Sequence, residues 1–346
     1  MVTENEIDFS RIHFSLAGSG NPWSALSRTS VTIMINLNMG VDLETIAVDL
    51  TIPQATLDSV IDSLKAVNLV WESDGKLRPS FLMTDEDETL RVYSHAAEIG
   101  TKLADTLDAN YDDIKSSYNL LEVSNSFDFE DVSFLLLGGR IIDIKLLEKL
   151  VTGVRLLPSA PSRPSPDQPD AHYYFWMVEG EKKHLGEYGL NDFDLPWTSW
   201  RFYTFAKNLI DGKENPYRSK LETQCLDLVE SKIVDTPEDL GKELAIPVVC
   251  PDDSIKFAEV SDKYAELLSL VYKENEHSIK KLHSTLKSGL NAPHSFGEFF
   301  CWYAHIAYSV AIEILEYRKV LPIPKEKFQA ALWYREKDRE GLLIGA

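Results

Sequence analysis

LETIAVDLTIPQATLDSVIDSLKAVNLV, residues Leu43–Val70, decides how this chain is read. Asp42 stands just before it, and a carboxylate there accepts the free amide hydrogens of a helix's first turn. Leu43, Ile46, Ala47 and Leu50 recur at spacings of three and four, which puts them on one face of a helix over 43–50. Thr51-Ile52-Pro53 reads as a turn, and Pro53 suits the first turn of the next helix because it has no N–H to leave unbonded. Leu57, Val60, Ile61 and Leu64 then form that helix's inner stripe. Upstream, Ser30–Asn38 predicts a short apolar helix. Downstream, Leu69–Glu72 and Lys76–Met83 predict two strands joined at Ser73-Asp74-Gly75, a hairpin turn signal.

This succession resembles the winged helix-turn-helix domain of MarR-, ArsR- and PadR-type transcription regulators, over residues 30–83 only. The resemblance implies a third helix lying in the major groove of double-stranded DNA and a hairpin wing on its backbone. Carried onto this sequence, the DNA-contacting residues are Gln54, Thr56, Ser59 and Lys65 on the helix, with Lys76 and Arg78 on the wing. Charge argues the other way. Binding phosphates draws on Lys and Arg, yet residues 1–84 hold ten acidic residues against five basic ones. Asp58 and Asp62 sit on the same outer face. A second reading therefore has the unit docking a protein partner instead of DNA.

Residues 1–29 read as an arm, giving a first division over 1–84. A long helix is expected over 85–121, with Asp85, Glu86, Asp87 and Glu88 placed against the positive end of its dipole. Tyr93, Ala97, Gly100, Ala104, Leu107, Tyr111, Ile114, Tyr118 and Leu121 alternate spacings of four and three, a heptad seam. The seam predicts a homodimer; the alternative is packing on the chain's own core. Residues 122–346 are read as a ligand-sensing domain. In it, Val132–Leu137 suits a buried strand, Gly138-Gly139 a turn and Ile142–Val151 a helix. Five prolines in Pro158–Asp170 predict an extended, poorly packed connector. His172–Glu179 reads as a strand with Tyr173, Phe175 and Met177 on one side and His172, Tyr174 and Trp176 on the other. Gly180–Lys183 is read as a turn and His184–Leu190 as the partner strand. Residues 216–234 and 254–289 predict helices, and Ser295–Lys319 a buried one. Residues 237–247 echo 43–53, which admits a second degenerate copy. The fold class is α+β: winged helix, long linking helix, and a mainly helical C-terminal domain with a small sheet.

The chain lacks the phosphate-loop, dinucleotide, zinc-protease and serine-hydrolase motifs. No cofactor and no enzymatic activity are expected from it. Tyr174, Trp176, His184, Trp197, Trp200 and Arg201 supply an aromatic set with two polar anchors, suited to a small organic ligand; the alternative is a plain aromatic core. His294, Glu298, Cys301 and His305 follow at spacings of four, three and four, and carboxylate, thiolate and imidazole all ligate metals. One helix rarely supplies three ligands to one ion, so a buried, hydrogen-bonded His305 is the default and no metal site is assigned to Glu298, Cys301 and His305. The net charge of −20 opposes nonspecific binding to nucleic acid or anionic membranes. Cys225, Cys250 and Cys301 form no CxxC pair, and the polar start of the chain is unlike a signal peptide. The nearly uncharged run Phe299–Ile312 is too short to span a bilayer. The expectation is a cytoplasmic, ligand-responsive transcription regulator, with DNA, a small effector and a second copy as partners. The alternatives are a protein-interaction module and an enzyme or metalloprotein centred on the C-terminal half.

Overall fold

The computed structural model describes residues 1–73, 75–197, 199–210, 213–287 and 292–334. The segment read as an arm is a strand, β1 (Ile12–Ser19). Helices α1 (Arg28–Asn38), α2 (Leu43–Asp49) and α3 (Gln54–Ala66) follow. The Asp42 carboxylate accepts the Thr45 N–H at 2.8 Å, as its position demands. Leu57, Ile61 and Leu64 face inward from α3. Strands β2 (Val70–Ser73) and β3 (Lys76–Pro79) pair antiparallel, Val70 opposite Pro79. Asp74 of the expected turn lies outside the described residues, as do residues 288–289 of the last charged helix. A separate short strand, β4 (Leu82–Thr84), ends what was read as one strand to Met83.

Helix α4 (Glu86–Tyr118) runs 33 residues from its Asp85 cap. The face read as a dimer seam is filled from within the chain. It packs along α11 (Ser295–Tyr317), and a Cβ on Gly100 would stand 2.6 Å from the Ala307 carbonyl oxygen. The heptad is thus an intramolecular seam, because small residues in α4 let another helix of the same chain approach first.

The expected strand Val132–Leu137 is helical instead. Helix α5 (Phe129–Ser133), a π-helical stretch Phe134–Leu146 and α6 (Leu147–Thr152) run on without a break. A continuous apolar run does not distinguish a buried strand from a buried helix, and here burial on all sides imitates a strand. Gly138-Gly139 marks no turn. A Cβ on Gly138 would meet the Phe205 ring at 2.1 Å, so the glycine lets a sheet lie directly on this helix.

Strand β5 (His172–Glu179) has the predicted bounds, but its partners are β1, antiparallel, and β4, parallel. His184–Leu190 does not pair with it. His184 lies in a short 3-10 helix, and β6 (Tyr188–Asp194) joins a second sheet with β7 (Trp200–Lys207). After the small hairpin β8 (Leu209–Ile210) and β9 (Lys213–Glu214) come α7 (Pro216–Glu230) and α8 (Pro237–Leu244). Next are β10 (Val248–Val249), α9 (Pro251–Glu274), α10 (Glu276–His283), α11 and β11 (Phe328–Tyr334). The second sheet has the order β10-β11-β7-β6. The echo at 237–247 extends to one capped helix; a strand, β10, follows it.

The alternation expected of β5 is realised on both faces. Tyr173, Phe175 and Met177 pack with α1–α3, while Tyr174, Trp176 and Val178 pack with α4 and α11. One three-stranded sheet therefore separates two apolar cores. A Gly100→Ala variant tests the α4–α11 seam. Its methyl must displace main chain as well as the Val310 side chain, and a loss of about 1–3 kcal/mol in chemical denaturation is expected. An unchanged midpoint would show that the helices are not in close contact.

Candidate ligand-binding cleft

The proline-rich connector is extended and exposed over most of its length, as its composition predicts, but Arg163 anchors it at one point. This side chain is 2% exposed, and its Nη2 donates to Glu298 Oε1 at 2.6 Å. Arg163 also donates to the Ser80 carbonyl (3.0 Å), the Ser80 hydroxyl (3.1 Å) and the Asn68 carbonyl (2.9 Å). The other Glu298 oxygen accepts the Leu82 N–H at 2.7 Å. Burial pushes the Glu298 carboxyl up to about 7, against the guanidinium and two main-chain N–H groups that hold it down. Glu298, one of the metal-ligand candidates, is committed to this joint.

The others do not converge on an ion either. His305 Nδ1 lies 2.7 Å from the Cys301 carbonyl, which can only accept, so Nδ1 carries a proton there. Cys301 Sγ is 3.8 Å from the same Nδ1. Burial, with Asp143 and Glu298 nearby, lifts the Cys301 thiol well above its ordinary range. A thiol so held is a weak nucleophile. Among the described residues no group of three or more His, Cys, Asp or Glu side chains is placed to hold a metal ion.

His305 faces a cleft of about 470 Å³, a size that suits a small ligand. Its walls include β1 from Ser15 to Gly18, Asp143 and Ile144 of the π-helical stretch, Trp176 of β5, Gly186, and Tyr188 to Asp192 of β6. Each arrives for a local reason. Gly186 has φ +89°, and a Cβ there would stand 2.8 Å from the His305 carbonyl carbon and oxygen, so only glycine lets this loop close over α11. The Asp143 carboxylate accepts the Leu190 N–H at 2.7 Å and so covers the free edge of β6. Burial raises this carboxyl above its usual range, opposed by nearby His305 and the Leu190 N–H. Trp176 is 2% exposed, and its indole N–H has no hydrogen-bond partner. A buried donor left open lowers the cost of binding any acceptor that reaches it.

Of the six aromatic and polar residues expected to bind a ligand, Trp176 alone lines this cleft. Tyr174 is buried and donates its hydroxyl to the Pro158 carbonyl. His184 is buried, with its ring tilted against Tyr93, and accepts the Glu181 N–H. Trp197 and Trp200 pack on the second sheet, Trp200 edge-on to Tyr334 at 5.6 Å. Arg201 is held by Asp192 (2.9 Å) and Asp194 (2.7 Å). Two aromatic clusters close in sequence thus belong to two sheets. Asp143, Gly186 and the β1 edge escaped the sequence reading. Asp143 alone had a visible signal, as the one acid between isoleucines in an apolar run.

Of the residues read as DNA contacts, Gln54, Thr56, Ser59, Lys65 and Lys76 are exposed. Gln54 Nε2 donates to Asp58 Oδ1 at 2.8 Å. Arg78 is half-buried and lies opposite Trp71 in the hairpin. No described helix is long and apolar enough to cross a membrane. Compared with known protein families, curated proteins and solved structures, the chain matches none.

Two measurements check this geometry. Arg163→Ala leaves a buried carboxyl without its cation, and a loss of about 3–5 kcal/mol is expected near neutral pH. Without the guanidinium the folded-state pKa of Glu298 moves further above its ordinary value of 4.5. Stability is then fully present below that pH and lost as pH rises, so the deficit must shrink on acidification. A pH-independent deficit would show that Glu298 does not depend on Arg163. Separately, thiol labelling of the native protein should modify Cys250 and spare the buried Cys225 and Cys301. Labelled Cys301 in the folded state would mean that the cleft opens down to α11.

Proposed function

We propose that this protein is a ligand-responsive regulator. The α1–α3 unit and the β2–β3 wing bind double-stranded DNA, and the cleft beside Trp176 takes the effector. One observation carries the reading: β5 has both faces in use. Trp176 lines the cleft, while its neighbours Phe175 and Met177 pack against α1–α3. A ligand that contacts Trp176 acts on a strand shared with the helical unit, which is how differential contact biases one arrangement over another. Support for the DNA half comes from the order of three helices and a hairpin, and from the exposed outer face of α3. Two copies reading two half-sites would meet through a surface other than the α4 seam, which α11 fills.

The second reading is protein docking through the same unit. It is favoured by the Gln54–Asp58 hydrogen bond, which ties up the amide best suited to reading adenine. Fluorescence polarisation against the DNA upstream of the protein's own gene separates the two. Binding at low salt that weakens steeply as salt rises is expected. Replacing Lys76 and Arg78 by Ala should weaken it and reduce the salt slope by about one for each phosphate no longer neutralised. Absence of binding at low ionic strength overturns the DNA reading.

A further inference from the structure

In the sheet order β1-β5-β4, β1 is outermost. The Gly180 N–H donates to the Arg11 carbonyl at 2.9 Å, next in line to the Ile12–Glu179 pair. Hydrogen-bonded and non-hydrogen-bonded pairs alternate along an antiparallel ladder. His13, Ser15 and Ala17 therefore turn their N–H and C=O groups toward β5, and Phe14, Leu16 and Gly18 turn theirs outward. The Thr84 hydroxyl reaches the Met177 carbonyl from the β4 side, which fits the same alternation. Leu16 and Gly18 line the cleft. The Leu16 side chain packs with the α1–α3 core, so what it shows the cleft is main chain. Among the described residues nothing outside β5 bonds to these outward groups.

Trp176, His305 and Asp143 line the same space, and the Trp176 N–H has no hydrogen-bond partner. The other two carboxylates of the cleft already have cations, Asp192 with Arg201 at 2.9 Å and Glu148 with Lys145 at 2.7 Å. No described Lys or Arg pairs with Asp143. The site thus combines a strand edge, a tryptophan N–H without a partner and a carboxyl that no described Lys or Arg pairs with.

We propose that the cleft binds an extended peptide segment of a partner protein, which adds as a strand to the free edge of β1 and sets a lysine or arginine side chain against Asp143. A peptide supplies N–H and C=O groups at strand spacing to Leu16 and Gly18, which a compact organic molecule does not. Its cationic side chain supplies the charge that Asp143 lacks. An added strand extends the sheet that carries Phe175 and Met177, so it acts on the helical unit directly. The inference rests on the reading of the cleft as the effector site, and names its occupant.

The test is selection of the full chain against a random peptide library displayed on phage, with segments of about eight residues, an ordinary strand length. Selected peptides should carry Lys or Arg among alternating apolar residues. Asp143→Asn keeps an acceptor for the Leu190 N–H but removes the charge. It should weaken these peptides by about tenfold or more. Leu16→Pro removes one outward N–H without breaking a ladder bond, as edge strands tolerate, and should weaken them similarly. Both variants are checked for unchanged thermal unfolding, and either alone suffices if the other fails to fold. The proposal is overturned by absence of selection, by selected peptides without a cation, or by equal binding to folded variants. Competition by lysine amide as strong as by the peptide would also overturn it. Selected peptides with no DNA binding would remove the regulator and leave this inference standing; DNA binding with no selection would do the reverse.

Discussion

The Arg163–Glu298 pair holds together parts of the chain that are far apart in sequence. Arg163 comes from the connector, Glu298 from the first turn of α11, and the groups they share come from Asn68, Ser80 and Leu82. A guanidinium and a carboxylate taken out of water cost several kcal/mol each and are tolerated only when hydrogen bonds fill their remaining sites. Here they do so on most sides: Arg163 reaches two carbonyls, a hydroxyl and a carboxylate, and Glu298 receives main-chain N–H groups, that of Leu82 in β4 among them. The hairpin, the connector and the buried helix are therefore placed relative to one another by one polar cluster. Contact area alone would leave more freedom, since apolar burial is non-directional.

On that frame the three-stranded sheet serves two cores at once. β5 lies between β1 and β4 and buries aromatic side chains on both faces, with Phe175 against Phe14 and Phe81 on one side. On the other, Trp176 approaches His305 with ring centroids 5.9 Å apart. The second sheet is kept apart by the π-helical stretch, whose two glycines allow Phe205 and Leu190 to lie against its backbone. The cleft is the gap where these two sheets fail to meet. β1 ends one sheet and β6 ends the other, and Asp143 covers β6 while nothing comparable among the described residues covers β1. Wider-wound helical turns are frequently found at functional sites, and this one carries Asp143 to the cleft.

Local signals in the chain were legible where one residue or one period decides the outcome. Asp42 caps α2 as its position implies, the acidic run from Asp85 to Glu88 opens α4 as the helix dipole implies, and β5 begins at His172 and ends at Glu179 as its composition implies. The faces of β5 follow from a period of two that tertiary context did not disturb. The reading failed where the same pattern has two physical solutions. An apolar run such as VSFLLLGG satisfies a buried strand and a buried helix equally, and a heptad seam satisfies a second copy or another helix of the same chain. The aromatic set failed for a related reason. Proximity in sequence said nothing about which sheet each strand would join.

For this protein, then, the sequence by itself determined the capped helices, the hairpin and the two-faced strand, because each depends on contacts within a few residues. It also exposed the acidic surface that sets DNA binding against protein docking. Only the tertiary structure decided what fills the α4 seam, what the connector does, and where a ligand has room. Those outcomes depend on pairs such as Arg163 with Glu298, Gly100 with Ala307 and Asp143 with Leu190, which are 135, 207 and 47 residues apart in the chain. No local period encodes such pairings; they follow from which faces remain unburied once the first elements have packed.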